Sequence, residues 1–226
     1  MMKLNLKELQ KPIISPSLLA ANRACLKDEA LKAENCGAKF IHIDVMDGKF
    51  VPNVSFSLDE ISSFSKTHSM LNDVHLMIEN PYKYIKDYVK AGADLITFHL
   101  EASKTYEDTI KTIDEIHSYG LYAGLSIKPL TPIEDLLPYI DKVDLILLMS
   151  VEPGKGGQKF IPQSLERARR IQEILSPLKE KPLLEIDGGI NDITGKESIE
   201  AGVDVLVAGS YLFGHDDMNE RLKKLL

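Results

Sequence analysis

Two short segments of this chain end in acid and imidazole at alternating positions, Phe40-Ile41-His42-Ile43-Asp44 and Asp73-Val74-His75-Leu76-Met77. A third, Leu183-Leu184-Glu185-Ile186-Asp187, ends in a carboxylate that runs directly into Gly188-Gly189. In a β-strand every second side chain points to the same face, so His42 and Asp44 project together. If the three strands converge in one barrel, His75 and Asp187 join them. Two imidazoles and two carboxylates meeting at a point suit one divalent cation such as Zn, Fe, Mn or Co. The carboxylates also supply two groups able to move a proton. The His-x-Asp pair alone reads equally well as a hydrogen-bonded polar plug in a barrel mouth. Equivalent positions for His75 and Asp187 on two further strands favour the metal.

Glycines form a second constellation. Pro153-Gly154-Lys155-Gly156-Gly157-Gln158, Gly188-Gly189 and Gly209-Ser210 follow three successive apolar runs, and each bares backbone N–H groups. Any one of them marks a tight turn; on adjacent strands together they read as an anion cradle, with Ser210-Tyr211-Leu212-Phe213 as a short helix beside it. Met46, Met77 and Met149 also stand at the ends of apolar runs. They read as gap-filling core residues or as a water-excluding floor under a reactive intermediate. His68, His117 and His215 fall in helical or loop contexts and read as solvent-facing. His99 ends a run with only Glu101 as a nearby carboxylate, which points to a supporting or structural role.

The elements that must position these groups are legible as eight short apolar runs, at residues 13–19, 40–44, 73–77, 95–99, 121–127, 145–149, 183–187 and 205–208. Most are nearly continuous in apolar residues, as strands covered on both faces should be. Helical patterns lie between them at 23–36, 58–66, 82–90, 106–119, 133–139, 164–175, 194–200 and 218–225. Eight strand-then-helix units predict an α/β protein of the TIM (β/α)8-barrel class. Gly37-Ala38-Lys39-Phe40-Ile41, Gly92-Ala93-Asp94-Leu95-Ile96 and Gly202-Val203-Asp204-Val205-Leu206 repeat one αβ joint, with glycine where a left-handed helix cap is needed. Closure rests on the count of eight, because an open doubly wound sheet uses the same joints. A length of 226 residues suits one such barrel domain over residues 1–226. Residues 1–12, rich in lysine, read as an N-terminal extension, an extra turn or a loose arm.

Apolar content of 44% and charged content of 27% are ordinary for a globular protein. A formal net charge of −7 argues against a nucleic-acid or membrane-surface partner, so any phosphate must be held locally by backbone amides. With no long apolar run and no signal-peptide pattern, the expected compartment is the cytosol. Cys25 and Cys36 fall in one predicted helix, roughly 16 Å apart, beyond disulfide reach. They read as buried small hydrophobes.

Ser15-Pro16-Ser17-Leu18-Leu19, the run from His42-Ile43-Asp44-Val45-Met46-Asp47-Gly48 through Lys49-Phe50-Val51-Pro52-Asn53, Asp73-Val74-His75-Leu76-Met77, the segment 149–160 and Asp187-Gly188-Gly189 resemble the ribulose-phosphate 3-epimerase family. The resemblance covers residues 13–214 in order and spacing. It implies a TIM barrel that interconverts the ketose phosphates D-ribulose 5-phosphate and D-xylulose 5-phosphate, a step of the pentose phosphate pathway, and that assembles as a homo-oligomer. By the same resemblance His42, Asp44, His75 and Asp187 bind a divalent metal, and Asp44 and Asp187 are the acid/base pair. Ser17 touches substrate, and the loops carrying Gly154, Lys155, Gly156, Gly157, Gly188, Gly189, Gly209 and Ser210 hold phosphate. Lys155 is a departure, since the family commonly places phenylalanine between these glycines. It reads as a cation beside the phosphate or as a solvated lysine.

Relatives with nearly the same site act on hexulose 6-phosphates such as D-allulose 6-phosphate, and the motifs admit that reading. A non-catalytic sugar-phosphate-binding barrel is the alternative from another class, but mere binding does not need two carboxylates facing one carbon. An aldolase would want a Schiff-base lysine at a strand end. Lys128 stands there, yet that reading leaves the histidines and the aspartate pair unexplained.

Overall fold

The computed structural model describes residues 5–226. Eight strands form one parallel sheet: β1 (Ile13–Pro16), β2 (Phe40–Met46), β3 (Leu71–Met77), β4 (Leu95–His99), β5 (Tyr122–Ile127), β6 (Leu145–Met149), β7 (Leu183–Asp187) and β8 (Val205–Ala208). Each strand pairs with its sequence neighbour from β2 to β8, and β8 pairs with β1. A parallel bridge between Ser17 and His42 brings β1 against β2 and completes the barrel. The outer layer is α1 (Leu26–Asn35), α2 (Leu58–Phe64), α3 (Ile85–Ala91), α4 (Tyr106–Ser118), α5 (Gln163–Leu175), α6 (Thr194–Glu200) and α7 (Met218–Lys224).

The period-2 alternation of the strands sorts side chains into two apolar layers. Ile41, Ile43 and Val45 of β2 face outward into the cluster shared with the helices. Phe40 faces inward and packs with Ile13, Leu71, Leu95, Leu145, Leu183 and Val205, residues at or near the N-terminal ends of seven strands. His42 and Asp44 occupy the next inward positions, above that floor. The repeated αβ joint is present as read: Gly37, Gly92 and Gly202 all have positive φ, and at 104° the Gly92 N–H reaches the carbonyls of Tyr88 and Val89 to cap α3. A side chain there would be strained in this left-handed conformation.

Several expectations need correction. Residues 133–139 form only a 3-10 turn over Ile133–Leu136 instead of a helix. Pro138 has no N–H to offer the carbonyl of Glu134, so an α-helix cannot run through it. Ser210–Phe213 is a set of turns, with the N–H groups of Leu212 and Phe213 both returning to the Gly209 carbonyl. Cys25 and Cys36 flank α1 as its N-cap and C-cap residues, and both are partly exposed. Of the extension at residues 1–12, residues 1–4 lie outside the described residues. The remainder is not a loose arm throughout, because Leu6 is buried in the inward cluster at the barrel floor.

Candidate active site at the C-terminal mouth of the barrel

The strand register fixes the site. On β2 and β3, Asp44 stands beside His75 and His42 beside Asp73, all facing the barrel interior. Asp44 Oδ1 lies 3.3 Å from His42 Nε2 and 3.1 Å from His75 Nδ1, while its Oδ2 accepts the Ser17 hydroxyl at 2.7 Å. The two imidazoles approach to 3.4 Å, His42 Nε2 against His75 Nδ1. One donor atom each from His42, Asp44, His75 and Asp187 falls within 4.8 Å of all the others. Two imidazole nitrogens and two carboxylates converging this closely form a donor set of the kind that holds a divalent cation.

Burial and mutual charge separate the carboxylates electrostatically. Burial pushes Asp44 up, but the neighbouring His42 and His75 outweigh it and hold the carboxyl well below the usual carboxylate range. For Asp187, burial and then the adjacent Asp44 charge outweigh the lowering pull of His42 and push the carboxyl up to about 7. His42 sits between two carboxylates, whose pull overcomes burial and raises the imidazole well above its ordinary value. Burial lowers His75.

A second tier of buried polar groups lies behind these. Asp73 Oδ2 is 2.6 Å from His42 Nδ1, fixing the ring's far side, as second carboxylates do for metal-facing histidines. Glu185 Oε1 lies 4.0 Å from the same nitrogen. Burial, then the Asp73 charge, push Glu185 well above the usual carboxylate range. His99 is fully buried, 3.0 Å from His75, and burial holds it at about 4. The expectation of a supporting role for His99 agrees with this placement. Asp73 and Glu185 were legible too, because each precedes a site residue by two positions and must share its face.

Above the acid–imidazole cluster opens a cavity of about 850 Å³, large enough for a sugar phosphate. Its lining includes Ser17, Asp44, Met46, Met77, Met149, Gly154, Lys155, Gly156, Gly157, Asp187, Gly188, Gly189, Gly209 and Ser210. His42 and His75 are fully buried behind that lining. Met46 and Met77 pack with Val51 near the mouth, whereas Met149 belongs to the inward cluster below. The loop after β6 is held from two sides. Asn53 donates to the Gly154 carbonyl at 2.7 Å, and Gln158 donates to the carbonyls of Glu152 and Lys155. Gly154 has φ 106°, and a Cβ there would stand 2.7 Å from that of Val51, so the loop can lie against β2's extension only with glycine.

Lys155 is exposed on the cavity rim. Lys128 is not among the lining residues; its Nζ sits 4.2 Å over the Phe50 ring. Arg221 reaches the lining from α7, a position no local pattern in the sequence marks. Of the outlying histidines, His117 is exposed and paired with Asp144, and His215 is half-buried. His68 departs from its solvent-facing expectation: it stacks on Phe64 and both ring nitrogens are shielded from water.

The fold and cluster define an α/β-barrel enzyme with an acid–imidazole site able to hold a divalent cation. A sequence profile described as the Ribulose-phosphate 3 epimerase family matches residues 13–213. The chain is 42% identical over 219 residues to a ribulose-phosphate 3-epimerase of Chlamydia muridarum, covering 96% of this chain and 95% of that protein. It is 44% identical over 206 residues to one from Mycobacterium bovis, covering 91% and 88%. This chain belongs to the ribulose-phosphate 3-epimerase family, and is thus an epimerase of the isomerase class. Among solved structures, the 3-keto-L-gulonate-6-phosphate decarboxylase of Vibrio cholerae superposes with a TM-score of 0.70 at 15% identity, covering 96% of both chains; it shares the fold. Among the described residues, no helix is long and apolar enough to cross a membrane.

Proposed function

We propose that this protein interconverts D-ribulose 5-phosphate and D-xylulose 5-phosphate by two-base proton transfer through an enediolate. The observation that carries the reading is the pair Asp44 and Asp187, on β2 and β7, lining one cavity with their proton affinities driven apart. Epimerising a carbon beside a ketone requires a base on one face and an acid on the other. Two carboxylates in contrasting environments meet that need. In the direction in which Asp44 takes the proton, its ionised carboxylate is held in place by the Ser17 hydroxyl. Asp187, protonated near neutral pH, returns a proton to the opposite face. In the reverse direction the roles exchange.

His42, Asp44, His75 and Asp187 would hold one divalent cation, of Zn, Fe, Mn or Co. Such a cation supplies positive charge that polarises the ketone and stabilises the enediolate. Ser17 orients Asp44 and contacts the sugar, and Met46, Met77 and Met149 exclude water from the reacting carbon. Backbone N–H groups of the loops carrying Gly154, Lys155, Gly156, Gly157, Gly188, Gly189, Gly209 and Ser210 hold the phosphate, with Lys155 adding a rim charge. Assembly as a homo-oligomer and a cytosolic location belong to the same proposal, and sedimentation and cell fractionation test them.

The test is a panel of ketose phosphates, including D-allulose 6-phosphate, followed by solvent-deuterium incorporation at the carbon next to the ketone. The expected result is turnover and label exchange with the pentulose phosphates. Preference for the hexulose phosphate would overturn the substrate, and no label exchange with any member would overturn the chemistry.

A further inference from the structure

His75 is the start of a chain of contacts that runs away from the cavity, from buried histidines to the half-buried Glu101. Its Nε2 lies 3.0 Å from His99 Nε2, and His99 Nδ1 lies 3.2 Å from Glu101 Oε2. The other Glu101 oxygen, Oε1, accepts the Lys128 backbone N–H at 2.8 Å and also the Thr131 hydroxyl. Arg167 of α5 donates to the carbonyls of both Lys128 and Thr131, which braces the loop that holds the carboxylate.

Hydrogen-bond accounting gives this chain a direction. An ionised carboxylate only accepts, so His99 must carry its proton on Nδ1 to meet Glu101 Oε2. His99 Nε2 is then a bare acceptor. Facing it at 3.0 Å, His75 Nε2 must be the protonated nitrogen. That leaves His75 Nδ1 with a free lone pair, 3.1 Å from Asp44 Oδ1 and 3.4 Å from His42 Nε2. Without a cation, a proton on His42 Nε2 lies within 3.4 Å of that lone pair and of Asp44 Oδ1, and a bound cation would take its place.

We infer that Glu101 is a positioning residue which, through His99, fixes the tautomer of His75 so that Nδ1 is presented bare to a cation in the cluster. The inference rests on the metal reading above. Glu101 touches neither the cavity nor the cluster, and it acts through two imidazoles in series.

Glu101→Gln is an unusually sharp probe, because the orientation of the new amide is dictated by its surroundings. The Lys128 N–H requires the amide oxygen on its side, which turns the NH2 group toward His99 Nδ1. Every proton in the chain then shifts the other way: His99 gains its proton on Nε2, and His75 gains its proton on Nδ1, aimed at Asp44. The variant keeps the size and packing of the original side chain and gives Asp44 a hydrogen bond in place of a lone pair.

The experiment is a Co2+ titration of metal-free wild type and Glu101→Gln, with thermal melting and 15N spectra of the histidine rings. The expected result is Co2+ affinity lowered about 10–100-fold in the variant, an unchanged or higher melting temperature without metal, and a His75 proton moved from Nε2 to Nδ1. Equal Co2+ affinity in both proteins overturns the relay. If the variant does not fold, the metal-free wild-type spectrum decides: protonation of His75 at Nε2 and His99 at Nδ1 supports the relay, and the opposite pair overturns it. Failure of wild type to bind Co2+ would overturn the metal reading instead, with the spectrum still judging the tautomers.

Discussion

Ser17 donates its hydroxyl to Asp44 Oδ2 over 2.7 Å, at the place where its own backbone bridges β1 to β2 beside His42. One residue thus both completes the barrel and aims the carboxylate proposed to remove a proton. The two tasks are separable, because closure uses the backbone and orientation uses the side chain.

Ser17→Ala is therefore expected to retain the fold and lose activity. A hydrogen bond to a charged group contributes about 1.5–3 kcal/mol, which corresponds to a drop of roughly tenfold or more in kcat/KM. Circular dichroism and steady-state kinetics check this; unchanged kcat/KM would remove Ser17 from the orientation of Asp44.

Asp187→Asn removes the group that burial keeps protonated near neutrality, while preserving its shape. Epimerisation should fall by about 10²–10⁴-fold, with the fold and phosphate-analogue affinity close to wild type. Near-normal turnover would sink the two-base mechanism.

Metal removal should act on stability as well as activity. A ligand that binds only the folded state contributes about 2.7 kcal/mol at one hundred times its Kd. The melting temperature should fall on dialysis against chelator and climb again with added divalent cation. Full activity in protein shown by elemental analysis to carry no metal would contradict the four-residue site.

The Arg23–Glu60 pair gives an acid-dependent contribution to stability. Hydrogen bonds from Arg23 hold Glu60 at about 2, against an ordinary value of 4.5. Because the folded-state value is depressed, the stabilisation is present above 4.5 and is lost as the pH falls from there toward 2. Glu60 also closes the capping box of α2 with Ser57. The melting temperatures of wild type and Glu60→Gln should differ at pH 7 and converge between pH 4 and pH 2; a constant gap would assign the difference to the cap alone.

The bounds of β4, β6, β7 and β8 could be read from sequence because a strand buried on both faces is a continuous apolar run. β3 begins two residues before its expected start, at Leu71, since Asn72 and Asp73 interrupt that run with polar groups. The period-2 rule, together with closure of the strands into one barrel, was enough to bring His42, Asp44, His75 and Asp187 together, and applied once more it reaches Asp73 and Glu185. It could not reach Arg221, which arrives from α7 through tertiary folding alone. Nor could it reach the full environment of Glu101: proximity to His99 is local, but the Lys128 and Thr131 contacts that orient the carboxylate cross from β4 to the loop after β5.

Leu6 gives the lower end of the barrel a stopper contributed from outside the eight strands. A chain trimmed to begin at Ile13 would keep every strand and every residue of the mouth, yet remove Leu6 from the inward apolar cluster that holds Phe40, Leu71, Leu95 and Leu183. The loss of one buried leucine amounts to about 1.5–3 kcal/mol. Anyone shortening this protein for engineering, or fusing a partner close to its start, would thus be working on the drain of the vessel while believing the work to be far from anything that matters.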